Sequence, residues 1–134
     1  MTVTYTWRGD ATNAELNRLH AEAFRTRVYD DAEWDWATQL REHSLGWVVA
    51  RDPEDLVGFV NVVWDGLVHA WIQDTMVANA ARHRGVGTGL VKLAIREARQ
   101  AGCEWLHVDF DEHLRSFYLD ACGFSPTDAG LIAL

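Results

Sequence analysis

Between residues 72 and 110 the chain runs from an extended apolar stretch (Ile72 to Val77), through Arg82-His83-Arg84-Gly85-Val86-Gly87-Thr88-Gly89, into an amphipathic helix and then a second extended stretch, Trp105 to Phe110. Strand, helix and strand in that order join parallel neighbours by a right-handed crossover, so a central parallel pair is required whatever surrounds it. The helix carries Leu90, Ala94, Ala98 and Ala101 on one face and stops at Gly102. The glycine loop therefore stands at the carboxyl end of a strand, where ligands of such sheets tend to bind.

Upstream the pattern is a helical segment followed by a meander. Thr2 to Arg8 alternates β-branched and aromatic residues and reads as a strand ending at Gly9-Asp10. Thr12-Asn13-Ala14-Glu15 fits a capping box for a helix over residues 13 to 25, with Leu16, Leu19, Ala23 and Phe24 on its inner face. A second helix is expected over Ala32 to Ser44, with Trp36, Ala37 and Leu40 inward and Gly46 just past its end. Trp47 to Arg51 and Leu56 to Trp64 read as a hairpin across Asp52-Pro53-Glu54-Asp55; Asp65-Gly66 then turns into a strand from His69 to Val77. Downstream, Glu112 to Ala121 reads as a last helix presenting Leu114, Phe117, Tyr118 and Ala121, stopped by Gly123, before a tail ending in the strand-like Leu131-Ile132-Ala133-Leu134. The expected fold is α/β (α+β): a mixed, mostly antiparallel sheet flanked by helices, with one central parallel strand-helix-strand unit. At 134 residues the whole chain, 1–134, is expected to be one domain.

Composition narrows the function classes. No apolar run is long enough for a membrane span, and Met1-Thr2-Val3-Thr4-Tyr5 lacks the regions of a signal peptide, so a cytoplasmic protein with no membrane partner is expected. Cys103 and Cys122 show no metal-type spacing, so reduced thiols and no metal are expected. A formal net charge of −8 disfavours a nucleic-acid partner. The loop and its helix depart from that balance, carrying Arg82, Arg84, Lys92, Arg96 and Arg99 against Glu97 alone, which suits a compact anion.

Amides at a helix start have no intrahelical partners, and the helix dipole adds positive charge there, so this loop can cradle a phosphate. Glycines at 85 and 87 let the anion approach, and Arg82 and Arg84 add charge-assisted hydrogen bonds. Two other phosphate loops fail on residue type. A dinucleotide fingerprint requires glycine three residues beyond Gly87, where Leu90 stands, and a Walker loop requires lysine after its last glycine, where none follows Gly89.

Arg82-His83-Arg84-Gly85-Val86-Gly87 resembles the Arg/Gln-x-x-Gly-x-Gly/Ala signature of the GNAT acetyltransferase family. The resemblance extends to the strand before the loop, the helix after it, the next strand, and the late Phe117-Tyr118 followed by Gly123-Phe124, so that residues 47 to 124 look like this family. It implies an N-acetyltransferase using acetyl-coenzyme A, with no metal. Backbone amides of Arg84, Gly85, Val86, Gly87, Thr88 and Gly89 would bind the coenzyme pyrophosphate, and main-chain groups of Met76 and Val77 would pair with the pantetheine arm. The thioester would lie between two splayed parallel strands.

Aminolysis of a thioester requires a neutral amine, donors for the developing oxyanion and a proton for the departing thiolate. By the same resemblance Tyr118 stands near the coenzyme sulfur and is the candidate acid; the competing reading is an amphipathic core tyrosine with its hydroxyl at the surface. Asp111 stands where the family commonly shows asparagine, as a coenzyme contact or a simple helix cap. Asp74 is the only proton-accepting residue in Trp71-Ile72-Gln73-Asp74; alternation puts it on the face opposite Trp71 and Gln73, as a base or a loop brace. His69, His107 and Asp109 are further candidate bases. Asp30, Asp31, Glu33 and Asp35, interleaved with Tyr29, Trp34 and Trp36, either receive a cationic amine or simply suit a helix start. The acceptor is a small-molecule or peptide amine. A non-catalytic module that binds acyl-coenzyme A is the alternative, and a homodimer is one way to cover the strand edge left by the short tail.

Overall fold

The computed structural model describes residues 2–134. Five strands lie side by side in chain order: β1 (Thr4–Trp7), β2 (Ser44–Arg51), β3 (Leu56–Trp64), β4 (His69–Val77) and β5 (Trp105–His107). The first four pair antiparallel and β5 joins β4 in parallel, so the mixed, mostly antiparallel sheet expected from the sequence is present. The crossover to β5 runs through α3 (Val86–Gln100), while α1 (Asn13–Phe24) and α2 (Trp36–His43) connect β1 to β2.

The sheet buries a different cluster on each face, as alternation along the strands dictates. Leu90, Ala94 and Ala98 of α3 meet Val48, Val60, Val62, Ala70 and Ile72 on one side. Leu16 and Leu19 of α1 and Trp36 and Leu40 of α2 meet Val49, Phe59 and Met76 on the other. Five full burials of the Leu or Phe kind contribute roughly 10 kcal/mol on either face, before the entropy of ordering is subtracted.

Local chemistry sets several boundaries. The capping box forms: the Thr12 hydroxyl accepts from the Glu15 amide at 3.1 Å and the Glu15 carboxylate accepts from the Thr12 amide at 3.0 Å. α2 begins at Trp36 rather than Ala32, because Asp35 caps it by accepting the Thr38 amide at 3.2 Å. It ends at His43, and Gly46 lies inside β2, where an added Cβ would stand 2.1 Å from the Trp7 ring. Phe24, Ala37, Ala101, Leu114 and Ala121, expected inward, are exposed: Phe24 is the last residue of α1, Ala101 lies just past the end of α3, and Leu114 and Ala121 lie in irregular turns.

Three departures shape the far end of the sheet. β5 stops at His107 instead of Phe110, and the Phe110 ring stacks on Tyr118 at 5.1 Å rather than extending the ladder. The expected last helix is a 3₁₀ turn (Glu112–Leu114) followed by a π turn (Ser116–Ala121). The tail forms no strand; Leu131 and Ile132 are 87% and 82% exposed, since a strand requires a ladder partner and none of the described strands supplies one.

Candidate active site

The parallel pairing of β4 and β5 covers His69↔Trp105, Ala70↔Leu106 and Trp71↔His107 and then ceases. β4 continues to Val77, so from Ile72 onward its β5-facing edge has no strand partner among the described residues. That open wedge is the splay expected from the sequence. On its other edge β4 stays bound to β3, through Phe59↔Met76 and Gly58↔Val77. Main-chain groups of Met76 and Val77 are thus supported from one side only.

A bulge interrupts this strand. Asn61 pairs with Gln73 and Phe59 with Met76, leaving Asp74 and Thr75 opposite Val60 alone. Asp74 takes a left-handed φ of 54°, unusual for a residue other than glycine. The straight alternation that assigned Asp74 a face therefore fails, because the extra residue resets the strand's phase. Burial pushes the Asp74 carboxyl up, opposed by the charge of His20 on α1.

At the mouth of the wedge Gly85 caps α3 with φ 78°, a conformation glycine adopts without a Cβ penalty. The amides of Gly85, Val86, Gly87 and Thr88 then have no intrahelical acceptor. The Gly89 amide differs from the expectation: it donates to the Gly85 carbonyl at 3.0 Å and is not free for an anion. Gly89 is needed for another reason, since an added Cβ would stand 2.5 Å from the Tyr5 ring. Gly87 faces the opposite side, where a Cβ would meet Phe117 at 3.1 Å. Val86 is buried beneath the loop, whereas Arg82 and Arg84 are exposed beside it.

Tyr118 crosses from the π turn to β4. Its hydroxyl donates to Thr75 Oγ1 at 3.2 Å, and its ring lies among Phe110, Phe117 and Phe124. The side chain is buried, not surface-tipped, and burial pushes its hydroxyl above the usual tyrosine range, so it holds its proton at neutral pH. Asp111 is exposed and its side chain makes no cap; its carbonyl accepts the Leu114 amide at 2.8 Å.

Asp30, Glu33 and Asp35, before α2, each have a structural partner, whereas Asp31 is exposed. Glu33 pairs with Arg27, which also covers the Tyr29 ring at 4.5 Å. Asp30 accepts the Glu33 amide at 2.9 Å, and Asp35 accepts from Asn13 and the Thr38 hydroxyl at 2.9 and 2.7 Å. Trp36 is buried with its indole N–H on Asn17 at 2.8 Å. The sequence reading missed Thr75, which is invisible without the tyrosine that reaches it.

A family model described as the acetyltransferase (GNAT) family matches residues 11–124. The chain belongs to the GNAT acetyltransferase family. Among curated proteins none matches its sequence. Of the solved structures, a probable acetyltransferase of unknown function from meticillin-resistant Staphylococcus aureus superposes with TM-score 0.81 at 19% identity, covering 99% of this chain and 98% of that one. AAC(6')-Iy, in complex with the bisubstrate analogue CoA-S-monomethyl-acetylneamine, gives TM-score 0.79 at 16% identity over 100% and 98% of the two chains. Glucosamine-6-phosphate N-acetyltransferase from Arabidopsis thaliana gives 0.76 at 16% identity over 98% of each. This GNAT chain therefore shares their fold along its whole length. No helix among its described residues is long and apolar enough to cross a membrane.

Proposed function

We propose that this chain is a single-domain cytoplasmic N-acetyltransferase that moves the acetyl group of acetyl-coenzyme A directly to a small-molecule or peptide amine. The observation that carries the reading is one juxtaposition. Four unpartnered amides at the start of α3 open onto the unpaired edge of β4, and the Tyr118 hydroxyl stands at that edge on Thr75. A diphosphate fits the first feature, since Gly85 offers no Cβ and the exposed Arg82 and Arg84 precede it in the chain. An extended amide-bearing arm fits the second by adding to the strand edge. AAC(6')-Iy, of like fold, is known with a coenzyme A adduct, which supports the same ligand here.

Acetyl-coenzyme A supplies the acyl group already activated as a thioester. Around it Gly85, Val86, Gly87 and Thr88 hold the pyrophosphate, Met76 and Val77 align the arm, and exposed Asp111 is an additional polar contact. The amine nitrogen bonds to the acyl carbon as the carbon–sulfur bond breaks, and Tyr118 gives its proton to the leaving sulfur. The proton lost from nitrogen restores the tyrosine through water and Thr75. Asp74, whose raised carboxyl favours proton uptake, lies one residue away along β4.

Calorimetric titration with coenzyme A and its acetyl form, followed by thiol release across an amine panel, tests the reading. Micromolar or tighter binding is expected, abolished by Gly87→Leu, whose side chain would invade both the anion cradle and Phe117. Absence of coenzyme binding by the unaltered protein would overturn the proposal. Tight binding with no transfer to any amine would instead make the chain a coenzyme-binding module.

A further inference from the structure

Among the described residues the sheet ends at β5. That strand pairs with β4 alone, through three residue pairs, so the main-chain donors and acceptors of its other edge have no ladder partner. Residues 105–110 carry neither lysine nor proline, the usual guards of an exposed edge. Both faces beside the edge are apolar. On the α3 side Cys103, Leu106, Val108 and Phe124 reach the core only partly buried, whereas Ala70 and Leu90 further in are sealed. On the other side Trp105 is 65% exposed, and next to it the ring nitrogens His69 Nδ1 and His107 Nε2 face each other at 2.8 Å. The core is thus open at this end of the sheet.

The same chain carries a segment that suits this edge. The Phe124 amide donates to the Tyr118 carbonyl at 3.0 Å, and residues 125–134 then enter no helix or strand. Leu131, Ile132 and Leu134 are almost wholly exposed. A strand that faces water on one side alternates apolar with polar residues, but Leu131-Ile132-Ala133-Leu134 is apolar throughout, the pattern of a strand covered on both faces. Beside β5 its side chains would fall alternately on the two apolar faces, Leu131 and Ala133 on one, Ile132 and Leu134 on the other. In the single chain the tail pairs with no strand, its own β5 included.

We propose that the protein is a two-fold dimer in which residues 131–134 of each copy add as a strand to the free edge of the other copy's β5. Each copy gives one tail and receives one, so the contact is isologous and every interaction occurs twice. The donated main chain continues the ladder, while its side chains cover Leu106 and Val108 on one face and Trp105 on the other. Neither β5 edge then remains open, and assembly stops at two. The inference is independent of the acetyltransferase reading, although it bears on the wedge: β5 forms one wall, held by three pairs only, and a second neighbour fixes it. Residues 125–130 span about 20 Å when extended, enough for the tail to reach its own β5, and that is the rival arrangement. Against it stands the tail left unpaired in the single chain.

Light scattering on the size-exclusion eluate of the 134-residue chain, without coenzyme and over a wide range of concentration, tests the proposal. A species of twice 15.2 kDa is expected. Ile132→Asp on the donated strand and Trp105→Glu on the receiving edge alter exposed side chains, so each should keep the wild-type circular dichroism and weaken dimerisation by about 30-fold or more. Removing residues 131–134 should leave a folded monomer. Hydrogen exchange should show the amides of residues 131–134 protected in the dimer and unprotected on dilution. A wild-type monomer at every concentration, with the tail protected or not, would overturn the proposal. So would a dimer that survives both substitutions and the truncation, or aggregates of no fixed size. None of these readouts requires coenzyme binding, so the acetyltransferase reading can fail without touching this one.

Discussion

Replacing Tyr118 by phenylalanine deletes one oxygen and leaves the ring in place, so stability and chemistry can be separated by size. The ring stays packed on Phe110 at 5.1 Å, on Phe117 at 4.8 Å and near Phe124 at 6.0 Å. What is lost is one hydrogen bond to Thr75, long at 3.2 Å, and Thr75 remains only half-buried, where water can replace the donor. The stability cost is therefore about 1 kcal/mol, or a fall in Tm of roughly 3–5 °C for a chain of this size. Loss of a general acid lowers turnover by a factor of about 100 or more, equivalent to at least ~2.7 kcal/mol in the barrier. The chemical effect thus exceeds the structural one, and coenzyme affinity should change by less than about threefold, since the oxygen contributes nothing to the phosphate cradle. Stopped thiol release, calorimetry and a thermal melt on the same preparation provide the three numbers. Because burial holds the hydroxyl above the ordinary tyrosine range, kcat in the wild type should fall only at strongly alkaline pH, and that limb should vanish in the variant. A variant with wild-type kcat and an unchanged alkaline limb would remove Tyr118 from the chemistry and leave it a packing residue.

Two further outcomes follow from local geometry. Gly89→Ala should cost about 1–3 kcal/mol by forcing a methyl to within 2.5 Å of the Tyr5 ring, yet leave coenzyme affinity intact because the Gly89 amide is already bonded to Gly85; Tyr5→Ala should relieve the strain in a double-mutant urea cycle. Glu15, held at about 2 by the Arg51 guanidinium and the Thr12 amide, contributes stability that is fully present above its ordinary 4.5 and lost as pH falls through the interval down to about 2. The full linkage amounts to roughly 3 kcal/mol, which solvent screening of this partly exposed pair reduces to about 1–2 kcal/mol. Urea midpoints of the wild type and Arg51→Ala should therefore differ most above pH 5 and converge toward pH 2.

Residues whose conformation depends on near neighbours were readable directly. Thr12 and Glu15 cap α1 as their spacing requires, and Asp65-Gly66 turns the chain between β3 and β4. The strand-helix-strand order was enough to require a parallel β4–β5 pair, because steric handedness leaves one way to make that connection. What the wedge contains was decided elsewhere. The bulge at Asp74 depends on how β3 meets β4, the π turn that aims Tyr118 at Thr75 depends on Phe110, Phe117 and Phe124 packing together, and Gly89 is glycine because β1 brings Tyr5 against it. These are contacts between residues far apart in the chain, and no periodicity encodes a distance across a sheet. Hydrogen bonding and backbone preference within a few residues act on the unfolded chain already, whereas the position of a hydroxyl or an imidazole opposite its partner exists only once the layers have packed.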